Sequence, residues 1–242
     1  MKKAVKRVLL IAGLILILPV TGLLGFRIPI MTMKPAETGP VSDSDIFAVK
    51  NDINSVFLIQ TSGGYIMFDS GSNLKMLELS LEKAQIDPND IKWIFLTHSD
   101  YDHVAGLPLF ANAEILMSED EVQMVNGTTK RNLFGRNKLP AATDGTKITL
   151  LQNNQELMPG GITVKCIKAP GHTPGSMVYL TEGRYLFTGD AFKIKNDSPG
   201  IHPFTMNRKL AQKTINQLKE TIDSSSIVLT AHYNYIIGNR AF

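Results

Sequence analysis

Short apolar runs punctuated by glycine, asparagine and aspartate dominate the chain from residue 45 onward, and their lengths predict strands more often than helices. Residues 56–61 and 65–69 flank Ser62-Gly63-Gly64, which reads as a β-hairpin. Helical periodicity follows over residues 74–85, and Pro88 then turns the chain into a strand around Trp93. Beyond it the pattern predicts a helix near Leu107, a strand at 113–117, and a helix opening at Ser118, where Ser118 and Glu121 fit a capping box. Residues 126–147 are irregular and basic, with Lys130, Arg131, Arg136, Lys138 and Lys147. A second strand-rich half runs through 162–167, 177–180 and 185–187. An amphipathic helix at 209–222 and a short strand at 227–230 complete it. Strands followed by helices in each half predict two sheet-plus-helix layers packed face to face, with no internal repeat.

The N-terminus obeys a different pattern. Residues 8–26 carry no charge and follow Lys2, Lys3, Lys6 and Arg7, a length that reaches the roughly 18 apolar residues of a spanning helix. The run exceeds the usual signal core of about 7–15 residues, and no Ala-x-Ala site follows. Residues 1–26 therefore read as an apolar helix that anchors the chain. Their basic flank would stay cytoplasmic and place the remainder outside; cleavage would instead release a secreted protein. Residues 27–44, with three prolines and a Ser-Asp-Ser-Asp tract, read as a linker, and residues 45–242 as one folded domain.

Charge and composition narrow the function. The formal charge is +3, but five basic residues and no acid fall within the first 27, so the rest carries −2. Nothing there demands a nucleic-acid partner. With 43% hydrophobic residues, the chain can bury one good-sized core. Cys166 is the only cysteine, so no intrachain disulfide forms; it reads as a half-buried strand thiol.

The chemistry concentrates in a few turns. Only five histidines occur, and two of them, His98 and His103, share one short loop with Asp100 and Asp102 directly after the Trp93 strand. His172 lies in Gly-His-Thr-Pro-Gly at 171–175, and His232 follows the terminal strand. Alternate residues 98, 100 and 102 share a direction while 103 points elsewhere, so the loop serves two ions more readily than one. Asp190, which ends the short apolar segment 185–190, is placed to bridge them. His202, in a proline-flanked loop with no motif, reads as an exposed histidine, and Ser176 as a turn serine with no base beside it. Tyr101, Tyr233 and Tyr235 sit beside the histidine motifs and either touch substrate or pack against the loop. The basic stretch 130–147 and residues 192–207 either flank a cleft for an anionic substrate or simply run over the surface.

Together these motifs resemble the metallo-β-lactamase-fold metallohydrolase superfamily. Its H-x-H-x-D-H motif is matched at 98–103 with one departure, its G-H-T-P-G motif at 171–175, its T-G-D motif at 188–190, and its final histidine at His232. The early Asp69-Ser70-Gly71 matches its Asp-x-Gly element, which supports the site. The resemblance implies an α/β fold, a four-layer αβ/βα sandwich with the site at one edge of the two sheets. It further implies two divalent ions, zinc foremost, one held by His98, Asp100 and His172, the other by Asp102, His103 and His232. Asp190 would bridge, and Asp102 would orient the attacking water. The implied reaction is hydrolysis of an ester, thioester, lactone or phosphoester bond in a small molecule. The departure is Asp100, where the family carries a histidine. As a ligand, its hard oxygen shifts preference toward iron or manganese and resembles the flavodiiron proteins, which makes a di-iron oxidoreductase the alternative. As a non-ligand, it would orient a histidine through a hydrogen bond. Asp190 in place of a cysteine makes a β-lactam a poor substrate.

Overall fold

The computed structural model describes residues 28–131, 137–140 and 147–238. The apolar anchor expected at 1–26 and most of the basic stretch lie outside them. No described helix is long and apolar enough to cross a membrane. Residues up to Met33 form a separate unit, of which the described part is a helical turn closed by Met33 N donating to the Ile30 carbonyl at 3.0 Å.

The unit beginning at Lys34 holds two main sheets. The first comprises β1 (Gly39–Pro40), β2 (Ile46–Asn51), β3 (Asn54–Thr61), β4 (Gly64–Phe68), β5 (Ile91–Leu96), β6 (Glu114–Ser118) and β7 (Ile148–Leu151), in that spatial order. Strands β1 to β4 pair antiparallel, while β4 to β7 run parallel. The second sheet contains β8 (Glu156–Leu157), β9 (Val164–Lys168), β10 (Met177–Thr181) and β11 (Tyr185–Gly189). A small hairpin of β12 (Lys193–Lys195) and β13 (Ser198–Gly200) follows, and then β14 (Ile227–Thr230) and β15 (Tyr235–Ile237) complete the second sheet. Helix α1 (Leu74–Lys83) joins β4 to β5. The single turn α2 (Tyr101–Val104) follows β5, α3 (Val122–Val125) follows β6, and α4 (Arg208–Leu218) precedes β14.

Strand periodicity decides how these pieces stack. Successive side chains point to opposite faces, so in β3 Phe57 and Ile59 enter the layer between the sheets, while Val56 and Leu58 face α1. In the second sheet Phe187, Ile227 and Leu229 join the inner layer, and Leu186 and Val228 pack against Ile215 and Leu218 of α4. The inner layer is aromatic at its centre: Phe68 stacks on Phe187 with centroids 3.6 Å apart, and Tyr179 meets Phe95 edge-on at 5.1 Å. The order is helix, sheet, sheet, helix, the αβ/βα sandwich expected from the motifs.

Several local expectations change. From Lys34 onward, the stretch read as a linker already belongs to the sheet-bearing unit: Ala36 and Val41 are buried in the inner layer, and Gly39–Pro40 pairs with β2. Near Leu107 the chain makes only a 3-10 turn, Leu107–Leu109, since Pro108 favours a tight first turn and Phe110 leaves the helical region. Cys166 is fully buried rather than half-buried, because β9 faces the first sheet; burial pushes its thiol up to about 12. The capping box does not form. Ser118 Oγ accepts from Asp120 N, but Glu121 is drawn away from the backbone into the space between two site loops.

Candidate metal centre

The site begins at the C-terminal end of β4, where Asp69 adopts a left-handed conformation (φ 58°). That conformation is uncommon for a side-chain-bearing residue, and aspartate tolerates it better than most. It turns the buried carboxylate toward β5, where Asp69 accepts from Thr97 N at 2.8 Å, from Thr97 Oγ1, and from His103 Nδ1 at 2.8 Å. Thr97 Oγ1 in turn lies 3.0 Å from His98 Nδ1. His103 is also held from its backbone, its carbonyl accepting from Ser70 N at 2.7 Å and Ser70 Oγ at 3.0 Å. The ring nitrogens that remain, Nε2 of both histidines, are buried without a hydrogen-bond partner.

Glu121 ties this loop to the second sheet. Its carboxylate accepts from Ser99 N at 2.8 Å and Ser99 Oγ at 2.6 Å on one side, and from Thr173 Oγ1 at 2.7 Å on the other. Ser176, read as a turn serine, accepts from Thr173 N at 3.0 Å. Gly175 is required at this junction, because a Cβ there would lie 2.1 Å from the Glu121 backbone nitrogen. The remaining histidines arrive from the second sheet. His172 follows β9, and His232 follows β14 with Nδ1 2.7 Å from the Ile53 carbonyl, so that Nε2 faces the cluster.

Every sequence-predicted ligand reaches the same place. Donor atoms of His98, Asp100 and His172 lie within 4.8 Å of one another, as do those of Asp102, His103 and His232. Asp190 stands between the groups. Its Oδ1 is 3.6 Å from His103 Nε2 and 3.2 Å from His232 Nε2, while its Oδ2 is 3.4 Å from His172 Nε2. Buried imidazole nitrogens without partners are rare in cores unless something else satisfies them, and their convergence on carboxylates fits a bound divalent cation.

The charges in this cluster act strongly on one another. Burial opposes ionisation of Asp190, yet His202, His232, His103 and His172 outweigh it and hold the carboxyl well below the usual range. For Asp102, burial is likewise overcome by His103 and His232, leaving it at about 2. Burial of Asp100 is offset by His98 and His172, and its carboxyl is also held low. Burial disfavours the charged form of His103, but Asp69, Asp102 and Asp190 raise it well above normal. His232 rises to about 10 against its own burial, through Asp190 and Asp102. His172 is lowered, chiefly by burial.

Two residues from the stretches read as either cleft-flanking or surface, 130–147 and 192–207, join the site. His202 is not an exposed loop histidine: it is 1% exposed, its Nε2 lies 3.6 Å from Asp190 Oδ2, and burial drives it down to about 3. The β12–β13 hairpin positions it, turning through Asn196 and Asp197 with φ of 50° and 57°. Two adjacent left-handed residues of these types form a type I′ turn, a signal that was available in the sequence. Arg131, from the basic stretch, lies against Asp100, with Nε 3.2 Å from Oδ1 and Nη2 on Oδ2, and also donates to the Phe204 carbonyl. Asn137 adds a 2.8 Å hydrogen bond to Asp100 Oδ1. The tyrosines divide. Tyr101 is 74% exposed beside the loop, Tyr233 has its ring 5.9 Å from that of His202, and Tyr235 packs on the inner core away from the cluster.

Comparison with known proteins agrees with this architecture. The family model described as the metallo-beta-lactamase superfamily matches residues 49–225, and the chain belongs to that superfamily. An N-acyl homoserine lactonase of a Bacillus species is 27% identical over 147 residues, covering 59% of this chain and 55% of its own length. A Bacillus velezensis protein named "Probable polyketide biosynthesis zinc-dependent hydrolase BaeB" is 35% identical over 104 residues, covering 42% of this chain and 39% of its own. The chain spans about half the length of the curated relatives it matches. Among solved structures, a subclass B3 metallo-beta-lactamase of Bradyrhizobium japonicum superposes with a TM-score of 0.62 at 20% identity, over 81% of this chain and 79% of that one. That likeness concerns the fold.

Proposed function

We propose that the protein is a metal-dependent hydrolase that cleaves an ester, thioester, lactone or phosphoester bond in a small molecule. The observation that carries this reading is the convergence of His98, His103, His172 and His232 on Asp102 and Asp190, with buried ring nitrogens left over. Relatives named as a lactonase and a zinc-dependent hydrolase support it.

Two divalent ions, zinc foremost, would be held around Asp190, and when bound they would acidify a water toward neutral pH and polarise a carbonyl or phosphoryl oxygen. The chain's own groups do the positioning. Asp102, with a side chain 28% exposed, presents its carboxylate to the open side of the cluster and stays ionised at neutral pH. It accepts a hydrogen bond from the attacking water and aims it. Asp69 keeps the His103 proton on Nδ1, and the Ile53 carbonyl does the same for His232, so that both Nε2 atoms face inward. Arg131, anchored by Asp100, supplies positive charge at the rim for an anionic substrate group.

The di-iron oxidoreductase reading rested on Asp100 as an oxygen ligand, and its engagement by Arg131 and Asn137 weakens that ground. The test is a panel of lactone, ester, thioester and phosphodiester substrates, assayed before and after chelation. Hydrolysis lost on chelation and restored by zinc supports the proposal. Turnover that needs iron and a reductant would replace it with the oxidoreductase.

A further inference from the structure

Asp190 divides the cluster in a way the sequence motifs do not anticipate. Its Oδ1 faces His103 and His232, whereas its Oδ2 faces His172 at 3.4 Å and His202 at 3.6 Å. Donor atoms of His172, Asp190 and His202 lie within 4.8 Å of one another, as do those of the groups built on the 98–103 loop. Both ring nitrogens of His202 are buried without a hydrogen-bond partner. Asp100 is in the opposite condition: Arg131 Nε and Nη2 and Asn137 Nδ2 donate to its two oxygens, and Oδ2 also lies 3.0 Å from His172 Nε2 and 3.3 Å from His98 Nε2. A cation would have to pull that carboxylate away from a guanidinium, which holds carboxylates through paired donors in a fixed geometry.

The backbone keeps His202 in place. Met206 N donates to the His172 carbonyl at 3.2 Å and Asn207 N to the Gly171 carbonyl at 2.9 Å, so the segment after His202 is pinned to the loop carrying His172. Thr205 N closes back on the His202 carbonyl at 3.2 Å. The two imidazoles meet edge to face, with ring centroids 4.9 Å apart.

We propose that the divalent cation expected at His98, Asp100 and His172 is held instead by His172, His202 and Asp190 Oδ2, and that Asp100 is a guanidinium-bound carboxylate beside it rather than a ligand. This rests on the metal-dependent reading above. The missing family histidine is thereby replaced from a different segment of chain. Because the replacement is again a neutral imidazole, the site keeps a preference for zinc over the harder iron or manganese.

The experiment is equilibrium dialysis of the full chain, and of His202→Gln and Asp100→Asn variants, against one fixed free-zinc concentration, followed by elemental analysis. Far-ultraviolet dichroism checks folding, and His202→Asn stands in for the glutamine variant if that fails to fold. The expected result is two zinc ions per chain for the wild type and for Asp100→Asn, and one for the His202 variant. Two ions retained without His202, or one lost with Asp100→Asn, overturns the proposal and leaves the hydrolase reading standing. A wild type that takes up no zinc overturns both.

Discussion

Replacing Asp69 with asparagine probes the scaffold behind the site without touching a predicted ligand. Asparagine has the same shape and accepts the left-handed backbone that Asp69 adopts (φ 58°), so the chain path survives. The hydrogen bonds do not. Asp69 accepts from Thr97 N at 2.8 Å through Oδ1 and from His103 Nδ1 at 2.8 Å through Oδ2, and an amide offers only one accepting end. If its oxygen stays on Thr97, its NH2 meets His103 Nδ1 and forces the ring proton onto Nε2, into the cluster. If it flips, two N–H donors face each other in a buried site. Either outcome strands a buried polar group, at a cost of about 1–3 kcal/mol. At 1.4 kcal/mol per tenfold, zinc should bind roughly 5- to 140-fold more weakly, which spans the range of about 10- to 100-fold seen when partners of ligating histidines are lost. Competition against a chromophoric chelator measures this, with dichroism confirming an intact fold. Affinity within about twofold of wild type would refute the role given to Asp69.

Other perturbations probe other parts of the account. Asp102→Asn should lower turnover by at least about 100-fold, as expected when a group acting on the reacting water is lost, with substrate affinity changed far less; near-normal turnover in steady-state assays would remove Asp102 from the chemistry. Glu121→Ala should cost about 2–4 kcal/mol in urea unfolding, because Ser99 N and the hydroxyls of Ser99 and Thr173 lose their acceptor, and a loss below about 0.5 kcal/mol would mean the two loops do not depend on it. In the metal-free protein His232 is raised from 6.5 to about 10, and a raised folded value means stability present at low pH and lost as pH climbs through that window. Thermal melts should therefore fall for metal-free protein from about pH 7 toward about pH 10, while zinc affinity rises over the same range as protons leave the ligands; flat profiles in both would contradict the protonated cluster. The membrane anchor expected at residues 1–26 from sequence alone is a proposal tested by deleting residues 1–27: the full chain should sediment with membranes and the truncated one should not, and identical behaviour of the two would contradict it.

What could be read from sequence was whatever obeys a local rule. The hairpin at 56–69, the short apolar strand at 227–230 and the motif turns at 98–103 and 171–175 each carry their signal within a few residues, and the structure assembles them as expected. Glu121 shows where local rules end. Ser118 and Glu121 satisfy the spacing of a capping box, but two hydroxyls and an amide from distant loops offered the carboxylate more than its own helix did. His202 and Arg131 were missed for the same reason, since their partners His172, Asp190 and Asp100 are remote in sequence. Only the Asn196-Asp197 turn foreshadowed the fold-back that brings His202 inside.

Under the proposed function this cluster holds divalent cations and uses them to hydrolyse a small molecule. Following the metal content and lactone or ester hydrolysis of one purified sample through chelation and stepwise zinc return tests both halves at once. Activity should disappear with the metal and return in proportion to the zinc taken up. Undiminished hydrolysis by protein shown to be free of metal would rule out a metal-dependent hydrolase.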